Sequence, residues 1–550
     1  MKIALAQLNY KVGDFEQNAA KIIEAIDKSR SDSCDLVVFS ELALCGYIPH
    51  DLLEQKDFID RNMAFLDKIK DHTRGISVLL GTPRINTSEA GKKLYNAAVL
   101  IKNGKITQEF YKTLLPTYDI FDDYRYFEPN KHFELLNLNG KRIAVTICED
   151  LWDKQEANYS FAKEKQYTLS PLAELSKLNP DFVINIAGSP FSYNQEELRK
   201  SILINNASQY NLPLIYVNQV GGNTELIYDG GSRVLNDKGE TILQMPHFRE
   251  SITTIDTDVF STAQAVTNKS SDRLNQMHEA LILGIRDYFQ KSGFKGAVLG
   301  LSGGIDSALT AVLLAEALGA KNVTGILMPS QYSSNHSISD AEQLAKNLDM
   351  PYHTIPIENN FTSMKVSLSD MFAGKAEDVT EENIQARLRG VILMAASNKF
   401  GSMLVNTSNK SEAAVGYTTL YGDMNGGLSV LGDVYKSDVF RMAKQINQKG
   451  EVIPENSIIK PPSAELRPGQ KDEDSLPPYD VLDGILFHYI EKKASGSEII
   501  KAGYDKDTVK HVLSLVNNTE YKRFQAPPVL RVSSKAFGFG RRMPLVGRYS

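Results

Sequence analysis

Cysteine is scarce. Only Cys34, Cys45 and Cys148 occur in 550 residues, whereas a secreted disulfide scaffold carries several pairs. A reducing compartment is therefore expected. No apolar run reaches the ~18–20 residues of a membrane span. The opening MKIALAQLNYKVGDFEQN has a short apolar run broken by Gln7 and Asn9. It does not read as a signal peptide, and a cytoplasmic location is expected. Positive charge is not in excess either: 61 Lys and Arg stand against 67 Asp and Glu, a net −6. This removes the electrostatic case for a nucleic-acid partner, so any bound anion needs a local site. No repeat of solenoid period is visible.

What is present is ordinary globular material, 42% hydrophobic and 23% charged, with enough apolar residues for a buried core. The length points to several domains or two large ones. The first half alternates short apolar segments such as KIALAQL, LVVFSEL, ISVLLGT, RIAVTICED, DFVINIAG and LPLIYVNQV with helical periodicity, as over Asn18–Arg30. Asn103-Gly104 marks a hairpin turn, and Asp237-Lys238-Gly239 marks another. Strands this frequent, with helices between several, predict a layered α/β domain on a mixed sheet or sandwich. Periodicity lapses in VFSTAQAVTNKSSDR. The division expected is a first domain over 1–258, a linker over 259–273 and a second domain over 274–550. In the second, βα units recur (AVLGLSGG then SALTAVLLAEALG; VTGILMPS then SISDAEQLAKNLD). That is the rhythm of a doubly wound parallel sheet, which binds ligands beyond its strands' carboxyl ends. Lys460 to Tyr479, rich in proline and charge, reads as a loop or lid.

The stretch Gly300, Leu301, Ser302, Gly303, Gly304, Ile305, Asp306, Ser307 lies where a strand end meets a helix start. Backbone N–H groups there can line one concavity with the helix dipole behind them. The lysine of a Walker loop is missing. Asp306 suits an anion site only if a cation comes too, and Mg²⁺ bridging carboxylate and phosphate meets that need. Two glycines alone would be a capped turn; the strand–SGGxDS–helix context argues otherwise. This segment resembles the pyrophosphate loop of the ATP pyrophosphatase group, which splits ATP to AMP and pyrophosphate. The segments ENIQARLR, NTSNKSEAAVGYTTLYGDMNGGLSVLGDVYKSDV, KPPSAEL and EYKRFQAPP resemble the NAD synthetase family.

That resemblance implies an adenosine contact at Thr407, with Lys436 and Ser463 also on the ATP side. It implies Mg²⁺ at Asp306 and Glu412. It places Asn383, Arg387, Glu412, Asp423 and Lys522 at deamido-NAD⁺. Taken alone, Lys436 or Lys522 would be a solvated surface lysine; the order and spacing of all the segments carries the inference.

The first half has its own constellation. VVFSELALCGY puts Glu41 at a strand end, EFYKTLLPTYDIFDDYRYF puts Lys112 after another, and RIAVTICEDLW puts Cys148 at a third. A thiolate attacks better than a thiol, and Glu41 can take the proton. Lys112 and the Glu149 backbone N–H can steady an oxyanion. Singly, each residue has a bland reading, and for Cys34 and Cys45 that of a small buried hydrophobe is preferred. Together the three segments resemble the nitrilase (carbon–nitrogen hydrolase) superfamily with its Glu-Lys-Cys triad and αββα fold. The resemblance then covers nearly the whole chain and points to the glutamine-dependent NAD⁺ synthetase family. It implies L-glutamine held by Tyr118 and Ser189. A basic residue is usual shortly after that serine, but Gln195 stands there, with Arg199 four residues on. Either Arg199 holds the glutamine carboxylate or the local correspondence is shifted.

The expected substrates are L-glutamine, ATP and deamido-NAD⁺, with Mg²⁺ and no redox cofactor, since NAD⁺ is the product. A homo-oligomer and a protected ammonia passage are further expectations from the family. Two rivals remain open at this stage. One is another amidotransferase of the same loop group; the other is an amidase whose second half binds nucleotide as a regulator.

Overall fold

The structure is a computed structural model that describes residues 1–154, 166–266, 272–547 and 549. It divides into two compact units, Met1–Ser271 and Asp272–Ser550. Residues 260–266 of the expected linker are irregular or turn, and 267–271 lie outside the described residues.

In the first unit, one six-stranded sheet contains β1 (Lys2–Gln7), β2 (Leu36–Phe39), β3 (Ser77–Ile85), β4 (Leu94–Lys102) and β5 (Lys105–Tyr111). A second contains β6 (Leu136–Leu138), β7 (Lys141–Ile147), β8 (Phe182–Ala187) and β9 (Leu214–Asn218). The chain then forms a small hairpin, β10 (Val220–Asn223) and β11 (Leu226–Asp229). Next, β12 (Arg233–Leu235) and β13 (Thr241–Gln244) extend the second sheet, and β14 (Ser251–Asp256) closes the edge of the first. Strands β1–β2–β3 and β7–β8–β9 run parallel; the flanking pairs are antiparallel. The β4–β5 turn has Asn103 at φ 50° and Gly104 at φ 79°, the left-handed pair that a two-residue hairpin needs.

Alternate side chains on a strand face opposite ways, and β1 shows the consequence. Ile3 and Leu5 pack with Ile143, Val145 and Phe182 of the other sheet, in the layer between the two. Ala4 and Ala6 pack instead with Phe15, Ile22 and Ile26 of α1 (Phe15–Ser31) and Leu66 of α2 (Lys56–Asp71). The next helices are the single turn α3 (Asp123–Tyr126), α4 (Pro171–Ser176) and α5 (Gln195–Tyr210). Ile202, Leu203 and Ala207 of α5 cover the second sheet. The layering is αββα, the nitrilase fold. Cys34 and Cys45 are buried in the helix-covered core as free thiols.

The second unit opens with α6 (Arg273–Ser292) and holds a five-stranded sheet, parallel throughout: β15 (Ala297–Gly300), β16 (Val323–Leu327), β17 (Tyr352–Thr354), β18 (Met403–Asn406) and β19 (Leu428–Ser429). Its order is β17-β16-β15-β18-β19. The chain winds outward from β15 and then crosses to β18 on the other side. A ligand crevice is expected where that reversal falls, beyond the carboxyl ends of β15 and β18. The connecting helices are α7 (Ile305–Leu318), α8 (Asn335–Asn347), α9 (Glu358–Leu368), α10 (Val379–Phe400), α11 (Lys410–Val415) and α12 (Lys436–Asn447). From Lys460 to Pro478 only a 3-10 turn at Asp472–Asp474 interrupts irregular chain. Among the described residues, no helix is long and apolar enough to cross a membrane.

Candidate active site

In the first unit, Glu41 follows β2, Lys112 follows β5 and Cys148 follows β7. Lys112 Nζ donates to Glu41 Oε1 at 2.7 Å and to Asp123 Oδ2 at 2.6 Å. Lys112 and Glu41 are both 0% exposed. Asn96 Nδ2 donates to Glu41 Oε1 at 2.7 Å, and the Gly188 N–H donates to Oε2 at 2.9 Å. Buried charges persist only when paired and hydrogen-bonded, and this cluster is both. The neighbouring Cys148 thiol is pushed well above its usual range by burial and by Glu41, while Lys112 opposes the shift. Cys148 sits at φ 44°, a left-handed conformation unusual for a residue with a side chain.

Asp150 fixes two of these strand ends to one another. Its Oδ1 accepts the N–H groups of Thr113 (2.9 Å) and Leu114 (2.8 Å), just past Lys112. Its Oδ2 accepts the N–H of Ile147, just before Cys148, at 3.0 Å. Burial raises its carboxyl to about 6. Glu149 is buried too, and burial lifts it to about 7. Tyr118 and Tyr167 hydroxyls both donate to its Oε1, at 2.8 and 2.9 Å. Its Oε2 has no hydrogen bond among the described residues.

Ser189, at the end of β8, donates its N–H to Asn218 Oδ1 at 2.9 Å. Gln195 opens α5. Arg199 corrects an expectation. Its guanidinium pairs with Asp229 and Glu196, with Nη1 donating to Asp229 at 3.0 Å and Nη2 to Glu196 at 2.6 Å. Its side chain is 1% exposed, so it is not available to a ligand's carboxylate. Glu196, Asp229 and His247 have metal-like spacing, but Arg199 and Arg233 supply the cations there.

In the second unit, Gly303 has φ 77° and a Cβ would fall 2.1 Å from the Ser337 carbonyl oxygen, so only glycine fits. Ser302, Gly304, Ile305, Asp306, Ser307, Thr407, Glu412, Lys436 and Ser463 all line one cavity of about 210 Å³. Lys436 Nζ pairs with Asp306 and, at 3.2 Å, with Glu412 Oε1. Asn409 Nδ2 donates to Asp306 Oδ1 at 2.8 Å. Burial and Asp306 raise the Glu412 carboxyl to about 8. Gly300 and Leu301 line an adjoining cavity of about 250 Å³, which shares Ser302, Thr407 and Asp423 with the first.

Asn383, Arg387 and Lys522 converge on a different feature, the segment Gly416–Asp423. Asn383 Oδ1 accepts from Thr419 Oγ1 (2.7 Å), Arg387 Nε donates to the Leu420 carbonyl (3.2 Å), and Lys522 Nζ donates to the Gly416 (2.8 Å) and Thr418 (2.7 Å) carbonyls. Asp423 Oδ1 accepts the Thr419 N–H at 2.6 Å. Four residues with roles in the structure were not singled out by sequence: Asn96, Asp123, Asp150 and Arg389. Asp123, Asp150 and Arg389 lie inside segments already quoted, but no periodicity marks them.

The family model described as carbon–nitrogen hydrolase matches residues 2–265, and that of NAD synthase matches 277–526. The chain is 46% identical to the glutamine-dependent NAD(+) synthetase of Synechocystis sp., over 99% of this chain and 98% of that protein. It is 42% identical to the one from Thermotoga maritima, over 100% and 99%. The solved glutamine-dependent NAD⁺ synthetase of Acinetobacter baumannii, in complex with ADP, superposes with a TM-score of 0.78 at 37% identity, covering 99% of this chain and 98% of that one. A nitrilase-type glutaminase unit followed by an ATP-using synthetase unit, matched at this identity over the full length, leaves one conclusion: the chain belongs to the glutamine-dependent NAD(+) synthetase family.

Proposed function

We propose that Cys148 attacks the side-chain amide carbon of L-glutamine, and that the second unit uses the ammonia released to convert deamido-NAD⁺ to NAD⁺. The observation that carries the first half is the buried Glu41–Lys112 pair against Cys148. Glu41 takes the thiol proton and passes it to the departing nitrogen. Lys112 and the Glu149 N–H hold the oxyanion. Ammonia leaves, a glutamyl thioester remains, and water attacks it to give glutamate, with Glu41 as base again. Asn96, the Gly188 N–H and Asp123 hold the pair in place. Glu149 Oε2 takes the α-ammonium of glutamine, with Tyr118 setting its carboxylate, and Ser189 and Gln195 are neutral donors for the remainder of the substrate.

In the second unit, the nicotinate carboxylate of deamido-NAD⁺ attacks the α-phosphorus of ATP and pyrophosphate leaves. Ammonia then displaces AMP from the acyl adenylate. The Ser302–Ser307 loop grips the pyrophosphate, and Thr407, Lys436 and Ser463 complete the ATP side. Asn383, Arg387, Asp423 and Lys522 shape the deamido-NAD⁺ side through the Gly416–Asp423 segment. Asp306 and Glu412 would hold Mg²⁺: two carboxylates already converge on one cation, the Lys436 ammonium, and offer the oxygen donors a hard divalent ion takes. When bound there, Mg²⁺ supplies positive charge to the pyrophosphate oxygens. We also read the chain as a cytoplasmic homo-oligomer.

The test is NAD⁺ formation from deamido-NAD⁺, ATP and Mg²⁺ with glutamine or ammonium as donor. Turnover of xanthylate or aspartate in place of deamido-NAD⁺ would favour a different amidotransferase. Pyrophosphate release that does not require both ATP and deamido-NAD⁺ would reduce the second unit to a regulator.

A further inference from the structure

Two arginines of α10 stand two residues apart, about 200° around the helix. Arg387 is exposed and reaches the Leu420 carbonyl. Arg389 turns the other way. Its Nε donates to the Met328 carbonyl at 3.0 Å, just past β16, and it lines the cavity of about 250 Å³. Its two terminal nitrogens make no hydrogen bond or ion pair with any described residue. Burial lowers its pKa to about 10, which leaves it charged near neutral pH. Half-buried in the cavity wall, with its terminal donors unpaired in the protein, this guanidinium offers an anion in the cavity a cationic partner. The nearest acids do not serve. Glu465 accepts from Ser334 Oγ (3.0 Å) and Ser337 Oγ (2.7 Å), and Asp423 holds the Thr419 N–H.

The cavity says which anion. Its lining includes the apolar side chains of Leu327, Met328, Leu393 and Val405, of which Met328 and Leu393 pack together and suit one end to a purine. The other end shares Ser302 and Thr407 with the cavity of the pyrophosphate loop. A nucleotide with its base at the first end and its β- and γ-phosphates on that loop has its α-phosphate between them. We propose that Arg389 binds the α-phosphate of ATP through its terminal nitrogens and stabilises the charge that builds there during adenylation. This rests on the synthetase reading above. A planar guanidinium fork matches two non-bridging phosphate oxygens. The carboxylate oxygen forms a bond to the α-phosphorus, the bond from phosphorus to the β-bridging oxygen breaks, and pyrophosphate keeps the electron pair. No proton moves, so Arg389 stays charged throughout.

The experiment is single-turnover AMP formation from ATP and deamido-NAD⁺, with ammonium, in wild type, Arg389→Gln and Arg389→Lys. Each is repeated with ATP carrying sulfur at the α-phosphorus. Arg389→Gln is expected to slow AMP formation by about 100-fold, with a smaller change in KM for ATP, and Arg389→Lys to recover part of the rate. The sulfur effect should be largest in wild type and shrink in both variants, which a merely structural role would not produce. If Arg389→Gln does not fold, the sulfur effect in Arg389→Lys decides. An unchanged sulfur effect overturns the proposal. So does a rise in KM for ATP with a shift in ATP-over-GTP selectivity at unchanged rate, which marks a base contact. Failure of wild type to form AMP at all would instead overturn the synthetase reading.

Discussion

Asp150 holds the backbone N–H of Leu114 at 2.8 Å, so the turn that presents Cys148 and the strand end that presents Lys112 are joined by one carboxylate. Neither Asp150 nor Leu114 touches substrate in the proposed reaction. The link matters because a small misplacement of reacting groups costs orders of magnitude in rate. Asp150→Asn keeps the shape but turns one acceptor into a donor facing an N–H. It should cost about 2 kcal/mol, lower the Tm, and cut glutamine-supported synthesis far more than ammonium-supported synthesis. Thermal unfolding and the two donor assays together check this; an equal loss with both donors would mean general damage.

Glu149 sets a pH dependence. Burial raises its carboxyl to about 7, and the hydrogen bond from Tyr118 works against that shift. Glu149 therefore carries its charge above about 7 and loses it below. If it holds the substrate ammonium, kcat/KM for glutamine hydrolysis falls as pH drops through that value. Tyr118→Phe removes a lowering influence, so the acidic limb should move to higher pH. A profile of glutamate release in both proteins reads the shift directly. A limb that does not move would separate Glu149 from the titration.

Lys436 is 3% exposed between Asp306 and Glu412. Lys436→Ala leaves two carboxylates facing one another without their cation. Breaking a largely buried pair from one side costs about 3 kcal/mol. NAD⁺ synthesis should be lost with glutamine and with ammonium alike, since the lesion lies in the synthetase unit. Retention of ammonium-supported synthesis at near wild-type rate would remove Lys436 from the ATP side.

Gly303→Ala places a methyl on the Ser337 carbonyl, at a φ of 77°. The left-handed conformation alone costs about 1–2 kcal/mol, and the clash adds to it. The loop should open away from α8, and KM for ATP should rise at least tenfold in the ammonium-supported assay. An unaltered KM would show that the loop tolerates a side chain there and does not hold ATP as described.

Much of this was readable from sequence, for a physical reason. Glu41, Lys112 and Cys148 each follow a strand, and short apolar runs such as LVVF mark strand ends well. The SGGxDS loop is marked by glycines that only a close backbone approach requires. The parallel sheet of the second unit followed from the βα rhythm. What stayed hidden depends on tertiary convergence. Arg199 read as a candidate anchor because nothing nearby in sequence announces Asp229, thirty residues on in the β10–β11 hairpin, as its partner. Asn96, in mid-strand on β4, meets Glu41 across 55 positions. Arg387 and Arg389 differ only in where α10 turns them, and that is set by packing against β15 and β18 rather than by residue type.

The division of labour between Cys148 and the second unit is tested most directly by one variant in two assays. NAD⁺ formation from ATP, Mg²⁺ and deamido-NAD⁺ is measured for Cys148→Ala with glutamine and with ammonium, after thermal unfolding shows that the protein is folded. The account predicts no synthesis above background from glutamine and near wild-type synthesis from ammonium. Synthesis from glutamine by the folded variant, or loss of synthesis from both donors, would contradict it.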